Sequence, residues 1–209
     1  MRRWVLVAVA ALLVTGAGVT AGTLVLGEDD DAPGETPFST TPLESFDTST
    51  LAVARDSFCD DVDPRQVAAA LGAEPTGEDA YDNGDEVALA DGVTDVAHEF
   101  GCTWTGDDGS EARAWVFAPP VDATRADRLV REAGKVEGCE PAPTPAYGAP
   151  SVGLTCTAVD GARASYRGLF GDAWLTCELT VPDAAADQAA LRERTGAWCV
   201  GVALAASGD

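Results

Sequence analysis

The chain has 209 residues and a formal net charge of -22, with 35 acidic residues against 13 basic ones. A field of that sign repels phosphate backbones and anionic lipid surfaces, which argues against nucleic-acid partners and against docking of the polar part on a membrane. The length suits one domain of about 100–150 residues with a targeting segment and a linker.

Arg2 and Arg3 precede "WVLVAVAALLVTGAGVTAGTLVL", residues 4–26, in which no side chain is charged. As a helix rising about 1.5 Å per residue, this segment would span roughly 35 Å, enough for a bilayer core of about 30 Å. Two arginines before it and "GEDDD" after it place the N-terminus in the cytoplasm and everything beyond Gly27 outside. Residues 1–27 are therefore expected to be a single-pass signal anchor in the cell membrane. The alternative is a signal peptide cleaved after Val19-Thr20-Ala21, which would release a secreted protein. The first cysteine is Cys59, so no lipid-bearing cysteine is expected beside the apolar segment.

Residues 28–50, containing "EDDDAPGETPFSTTPLESFDTS", are acidic, rich in Pro, Thr and Ser, and poor in aliphatic side chains. Such a composition buries too little apolar surface to offset its ordering entropy, and it predicts a disordered stalk. The domain is expected over residues 51–209. In "CDDVDPRQVAAALG", Asp63 is an N-cap, Pro64 occupies the first helical position, and Gly72 stops a helix over 64–71. "AEPTGEDAYDNGDE" reads as turns. Period two follows in "VAHEFGCTWTG", where Val96, His98, Phe100, Cys102 and Trp104 share one strand face. "GDDG" makes a hairpin loop to the partner strand "EARAWVFAP".

Asp122 caps a second helix, whose stripe of Ala126, Leu129, Ala133 and Val136 runs to about Gly138. A proline-rich loop, "CEPAPTPAYGAP", leads to three strands, "SVGLTCTAV", "ARASYRGLF" and "AWLTCELTV". A final helix is expected from about Asp183, with Leu191, Trp198 and Val202 on its apolar side. Hairpin strands with helices kept to one side predict an α+β domain with an antiparallel sheet of about five to six strands. The stretches from Trp115 to Cys139 and from Trp174 to Cys199 have a similar strand-then-helix pattern, which raises the possibility of an internal repeat.

The six cysteines are Cys59, Cys102, Cys139, Cys156, Cys177 and Cys199. No two stand close enough for a zinc-type pair or a Cys-x-x-Cys redox motif, so neither metal nor cofactor is expected and the cysteines read as structural disulfides. Fifteen pairings exist for six thiols. Cys102, Cys156 and Cys177 fall on strand faces, whereas Cys59, Cys139 and Cys199 fall at helix edges or on a helix. Bridging strand to helix in chain order gives 59 to 102, 139 to 156 and 177 to 199, each contributing on the order of 3–4 kcal/mol.

No catalytic residue stands out. His98, the single histidine, reads as a partly buried strand residue, and no Gly-x-Ser-x-Gly elbow occurs. "CDDVD", "DNGDE" and "GDDG" do not fit a calcium loop and read as caps and turns. Trp104, Trp115, Trp174 and Trp198 read as core.

A cysteine before a short helix ending in "ALG", "CTW" on a strand, and a terminal helix carrying "WC" together resemble actinobacterial cell-envelope domains of unknown function. Over roughly Phe58 to Ala206 the chain is similar to small mycobacterial envelope lipoproteins and, more distantly, to the disulfide-bonded extracytoplasmic sensor domains of some mycobacterial serine/threonine kinases. The resemblance implies an exported α+β domain with no catalytic residues to carry over, and the missing lipid-site cysteine puts a membrane anchor in place of the lipid. The expected function is a non-catalytic binding or interaction module of the cell envelope, its partner an unknown protein or small envelope ligand. The alternative is a secreted cell-envelope hydrolase with an unrecognised site. Non-reducing peptide mapping is expected to recover the 59–102, 139–156 and 177–199 linkages; any other set of linked peptides contradicts the pairing.

Overall fold

The structure, a computed structural model, describes residues 38–208 apart from 91, 143, 144, 159, 160 and 185. The expected anchor and the first part of the stalk lie outside the described residues. Among the described residues, no helix is long and apolar enough to cross a membrane.

Seven strands form one antiparallel sheet in the order β1-β4-β5-β9-β8-β7-β6. They are β1 (Gly77–Tyr81), β4 (Glu99–Thr105), β5 (Glu111–Phe117), β6 (Cys139–Ala142), β7 (Ser151–Ala158), β8 (Gly161–Phe170) and β9 (Ala173–Val181), while β2 (Glu86–Ala90) and β3 (Val93–Val96) pair in a separate two-stranded ribbon. The helices are α1 (Pro64–Leu71), α2 (Ala123–Ala133) and α3 (Gln188–Ala205). The α+β class and the antiparallel sheet agree with the sequence pattern, with seven strands where five or six were expected.

The sheet has two differently built faces. On one, Cys102, Trp104, Ala112, Ala114, Val116, Ala164, Leu175, Cys177 and Leu179 make a buried apolar layer under α1 and α3. On the other, Leu169 and Trp174 pack with Ala126 of α2, and Ala133 packs with Leu154 and Cys156. Thus α1 and α3 share a side, but α2 lies across the opposite one. The chain crosses on α2 from β5 in the middle to β6 at the edge, then meanders back through β7 and β8 to set β9 beside β5. The two strand–helix units that resemble each other in sequence therefore place their helices on opposite faces.

Asp63 caps α1 through the amide of Arg65, and Gly72 ends it with a left-handed φ of 80°. Gln66 on its buried side donates from Nε2 to the carbonyl of Ala197 at 2.9 Å and accepts from the amide of Ser39 at 3.1 Å. It fits there because residue 201 of α3 is glycine: a Cβ would stand 2.3 Å from the Gln66 side chain. Asp187 caps α3 through the amides of Ala189 and Ala190, four residues later than the sequence pattern puts the helix start.

Residues 38–50, which the composition assigns to the stalk, are packed on the domain. Leu43 is buried in the main core against Gly196, and Thr48 Oγ1 donates to the carbonyl of Ala146 while accepting from the amide of Gly148. Two apolar side chains there, Leu43 and Phe46, find a ready-made surface, which local composition does not reveal.

Three further differences have local causes. The "AEPTGEDAYDNGDE" stretch contains β1 and the start of β2, because pairing with β4 supplies the order that its turn-forming residues lack. The expected strand from Val96 is interrupted at Ala97 and His98, where Ala97 bonds back to Gly84 and Asp85. α2 stops at Ala133, leaving Val136 exposed, and the proline-rich loop opens with the edge strand β6. Gly138 accepts at its carbonyl from the amide of Thr157, a register that turns the backbone nitrogens of Cys139 and Pro141 away from β7. Cys139 N donates to the carbonyl of Val136, and Pro141 has no N–H, so this edge of the sheet offers no free donor at either position.

Candidate functional site

The six cysteines form the disulfides Cys59–Cys102, Cys139–Cys156 and Cys177–Cys199, leaving none free. Cys177–Cys199 joins β9 to α3 with both residues fully buried. Cys59–Cys102 ties the turn before α1 to β4. Cys139–Cys156 departs from the strand-to-helix expectation: because α2 ends early, Cys139 stands on β6 directly opposite Cys156 on β7. The guanidinium of Arg163 lies 3.5 and 3.7 Å from these two sulfurs.

His98 is exposed in the bend between β3 and β4, not on a strand face. Its imidazole hydrogen-bonds no described serine or carboxylate, so the geometry assembles no nucleophile and base around it. Three of the tryptophans, Trp104, Trp174 and Trp198, are in the core, with Trp104 and Trp198 edge to face at 5.5 Å. Trp198 Nε1 donates to the carbonyl of Arg113. Trp115 is half-buried on the sheet face that carries α2. Among the described residues, no group of three or more His, Cys, Asp or Glu is placed to hold a metal ion.

Two features of that same molecule gather polar chemistry. The first is a charged cluster on the sheet. Register sets Thr103, Arg113, Glu178, Ser165 and Leu154 in one cross-strand row, with Thr176 and Thr180 flanking Glu178 along β9. The Glu178 side chain is 5 % exposed, and Oε2 lies 3.5 Å from Arg163 Nε and 3.9 Å from Arg167 Nη2. A carboxylate this deep needs such partners, since leaving water uncompensated costs several kcal/mol. Burial holds the Arg167 pKa below its ordinary value, with the charge of Glu178 opposing the shift and that of Arg163 adding to it. Ser165 Oγ and Arg167 Nε, both covered, have no hydrogen-bond partner among the described residues. The sequence hides this cluster because polar residues alternating along β9 look like a solvent face.

The second is a cleft of about 460 Å³ at the β1 end of the sheet. Phe58, the Cys59 half of its disulfide, Ala80 and Tyr81 give it apolar walls, and Asp60, Asp61, Asp82 and Asp85 stand around it. Asp82 accepts from Ser57 Oγ, and Asp85 accepts from the Asp82 amide at 2.8 Å. Tyr81 Oη donates to Glu99 at 2.7 Å, with its ring laid over Gly101, where a Cβ would stand 2.4 Å from it. A larger opening, about 630 Å³, lies beside β6 and is lined by Glu140, Thr155, Gln188 and Arg192.

Compared with family models, characterised proteins and solved structures, the chain matches none.

All three tyrosines hold their protons more tightly than free tyrosine. Burial raises the pKa of Tyr147 well above the ordinary value of 10.0 and also raises those of Tyr166 and Tyr81, the last helped by its bond to Glu99. The fold thus keeps protons that the unfolded chain releases above pH 10, so their contribution to stability is full below that pH and falls as pH rises through the folded-state values. Alkaline titration is expected to show tyrosinate absorbance appearing together with loss of near-ultraviolet circular dichroism, above pH 10. Ionisation of all three near pH 10 with the dichroism intact contradicts the burial described here.

Proposed function

We propose that the chain is an extracytoplasmic interaction module, held at the cell membrane by its N-terminal apolar segment, that binds a protein or small envelope ligand. The observation that carries this reading is the pairing of every cysteine inside one domain. Three structural disulfides persist in oxidising compartments and are rare where thiols are kept reduced. The order of charges around residues 4–26, arginines before and carboxylates after, supports the same orientation.

Binding is supported by the kind of surface present. The cleft at β1 combines apolar walls with exposed carboxylates, as sites of recognition do. The similarity of the cysteine and tryptophan motifs to envelope lipoproteins and kinase sensor domains points the same way.

Lys135 is the one lysine of the chain, and two-thirds of its side chain is exposed. A membrane-impermeant amine reagent is expected to modify Lys135 in intact cells as fully as in lysed ones. Labelling that requires lysis contradicts the orientation.

A further inference from the structure

The two ends of the sheet are finished differently, and the difference points to a partner. At β6, a proline and an engaged amide close the edge. At the other end, among the described residues, β1 carries no strand beyond it, and the chain turns through residues 82–85 into β2, so 77–81 and 86–90 are two open edge segments in succession. No proline or lysine interrupts that stretch. Proteins ordinarily blunt such edges with those residues, because an open edge is a template for another strand.

The ribbon of β2 and β3 stands as a separate two-stranded sheet. Val93 and Val96 are 51 % and 46 % exposed, and they are two of four large apolar side chains this exposed among the described residues. A bare two-stranded ribbon is marginal in water, and a third strand would stabilise it. Charge then selects the partner. From Gln66 to Ala112 the chain has twelve acidic residues and no lysine or arginine. A second copy would bring two such segments together, which like-charge repulsion opposes.

We infer that the β1–β2 edge takes up an extended, basic segment of another protein as an added strand, with a lysine or arginine of that segment entering the cleft among Asp60, Asp61, Asp82 and Asp85. Main-chain bonds along the edge supply affinity, and the acidic cleft selects the side chain. Ala97 N donates to the carbonyl of Asp85, so the alternation along β2 turns the amides of Glu86 and Ala88 outward, toward the incoming strand. This rests on reading the chain as an interaction module outside the membrane, and the Lys135 labelling tests that location separately.

The probe is a fluorescent decapeptide of alternating valine and lysine, titrated by anisotropy against the full-length chain in non-ionic detergent, with an alternating valine and glutamate peptide as control. The lysine peptide is expected to bind at micromolar concentration and the glutamate peptide not to bind. Ala88→Pro, which removes an outward donor while leaving the ladder to β3, is expected to weaken binding at least tenfold. Asp60→Asn with Asp61→Asn, both exposed, is expected to weaken it at least threefold with the circular dichroism unchanged, and decides the matter if Ala88→Pro perturbs the fold. Equal affinity in the Asp60→Asn/Asp61→Asn variant and wild type, or an affinity unchanged by a well-folded Ala88→Pro, overturns the inference. So does absence of lysine-peptide binding, or self-association of the chain through this edge. Peptide crosslinks confined to the Arg163 and Arg167 face also overturn it, while leaving the module reading in place.

Discussion

Strand β9 is buried on both faces, and the rest of the domain is arranged around that constraint. Leu175, Cys177 and Leu179 point into the layer under α3, while Trp174, Thr176 and Glu178 point the other way and are equally covered. A strand in this position must have its helix, its neighbours and its polar side chains satisfied together. Cys177–Cys199 fixes α3 to it covalently, β5 and β8 pair with it along nearly its whole length, and the Arg163 and Arg167 guanidiniums neutralise the one carboxylate it carries inward. Close packing leaves little room for substitutes: a Cβ at Gly168 of the neighbouring strand would overlap the carbonyl of Tyr147.

The stability gathered at the centre frees the ends of the sheet for other work. A net charge of -22 destabilises a compact state by self-repulsion, and disulfides offset such a cost by restricting the unfolded chain. With three of them in place, the β1 end can carry unpaired backbone and many carboxylates without loss of the fold. The β6 end, stapled to β7 by Cys139–Cys156, is closed.

Local signals in the sequence were sufficient wherever structure is locally determined. Asp63-Pro64 and Gly72 bracket α1, and Gly106 to Gly109 turn β4 into β5, because caps and turns depend on residues a few positions apart. The strand segments at β7, β8 and β9 were legible locally, and bridging cysteines in chain order matches the pairing, although Cys139 stands on β6 and not at a helix edge. What the sequence could not convey depends on contacts between distant residues. β1 is ordered by β4, Leu43 is ordered by α3, and Glu178 is buried because of a register that no short window contains. The placement of α2 on the far face was hidden for the same reason. Its apolar stripe shows that one side is buried without showing against which surface.

The central claim, that the fold hangs on β9 and α3 while the β1–β2 edge stays loosely held, is tested most directly by native-state hydrogen exchange. The amides of β9 and of the α3 turn around Cys199 are expected to exchange last and at a common rate, near that of global unfolding, with those of β2 and β3 exchanging first. Exchange from β9 as fast as from β2 and β3 would contradict the account.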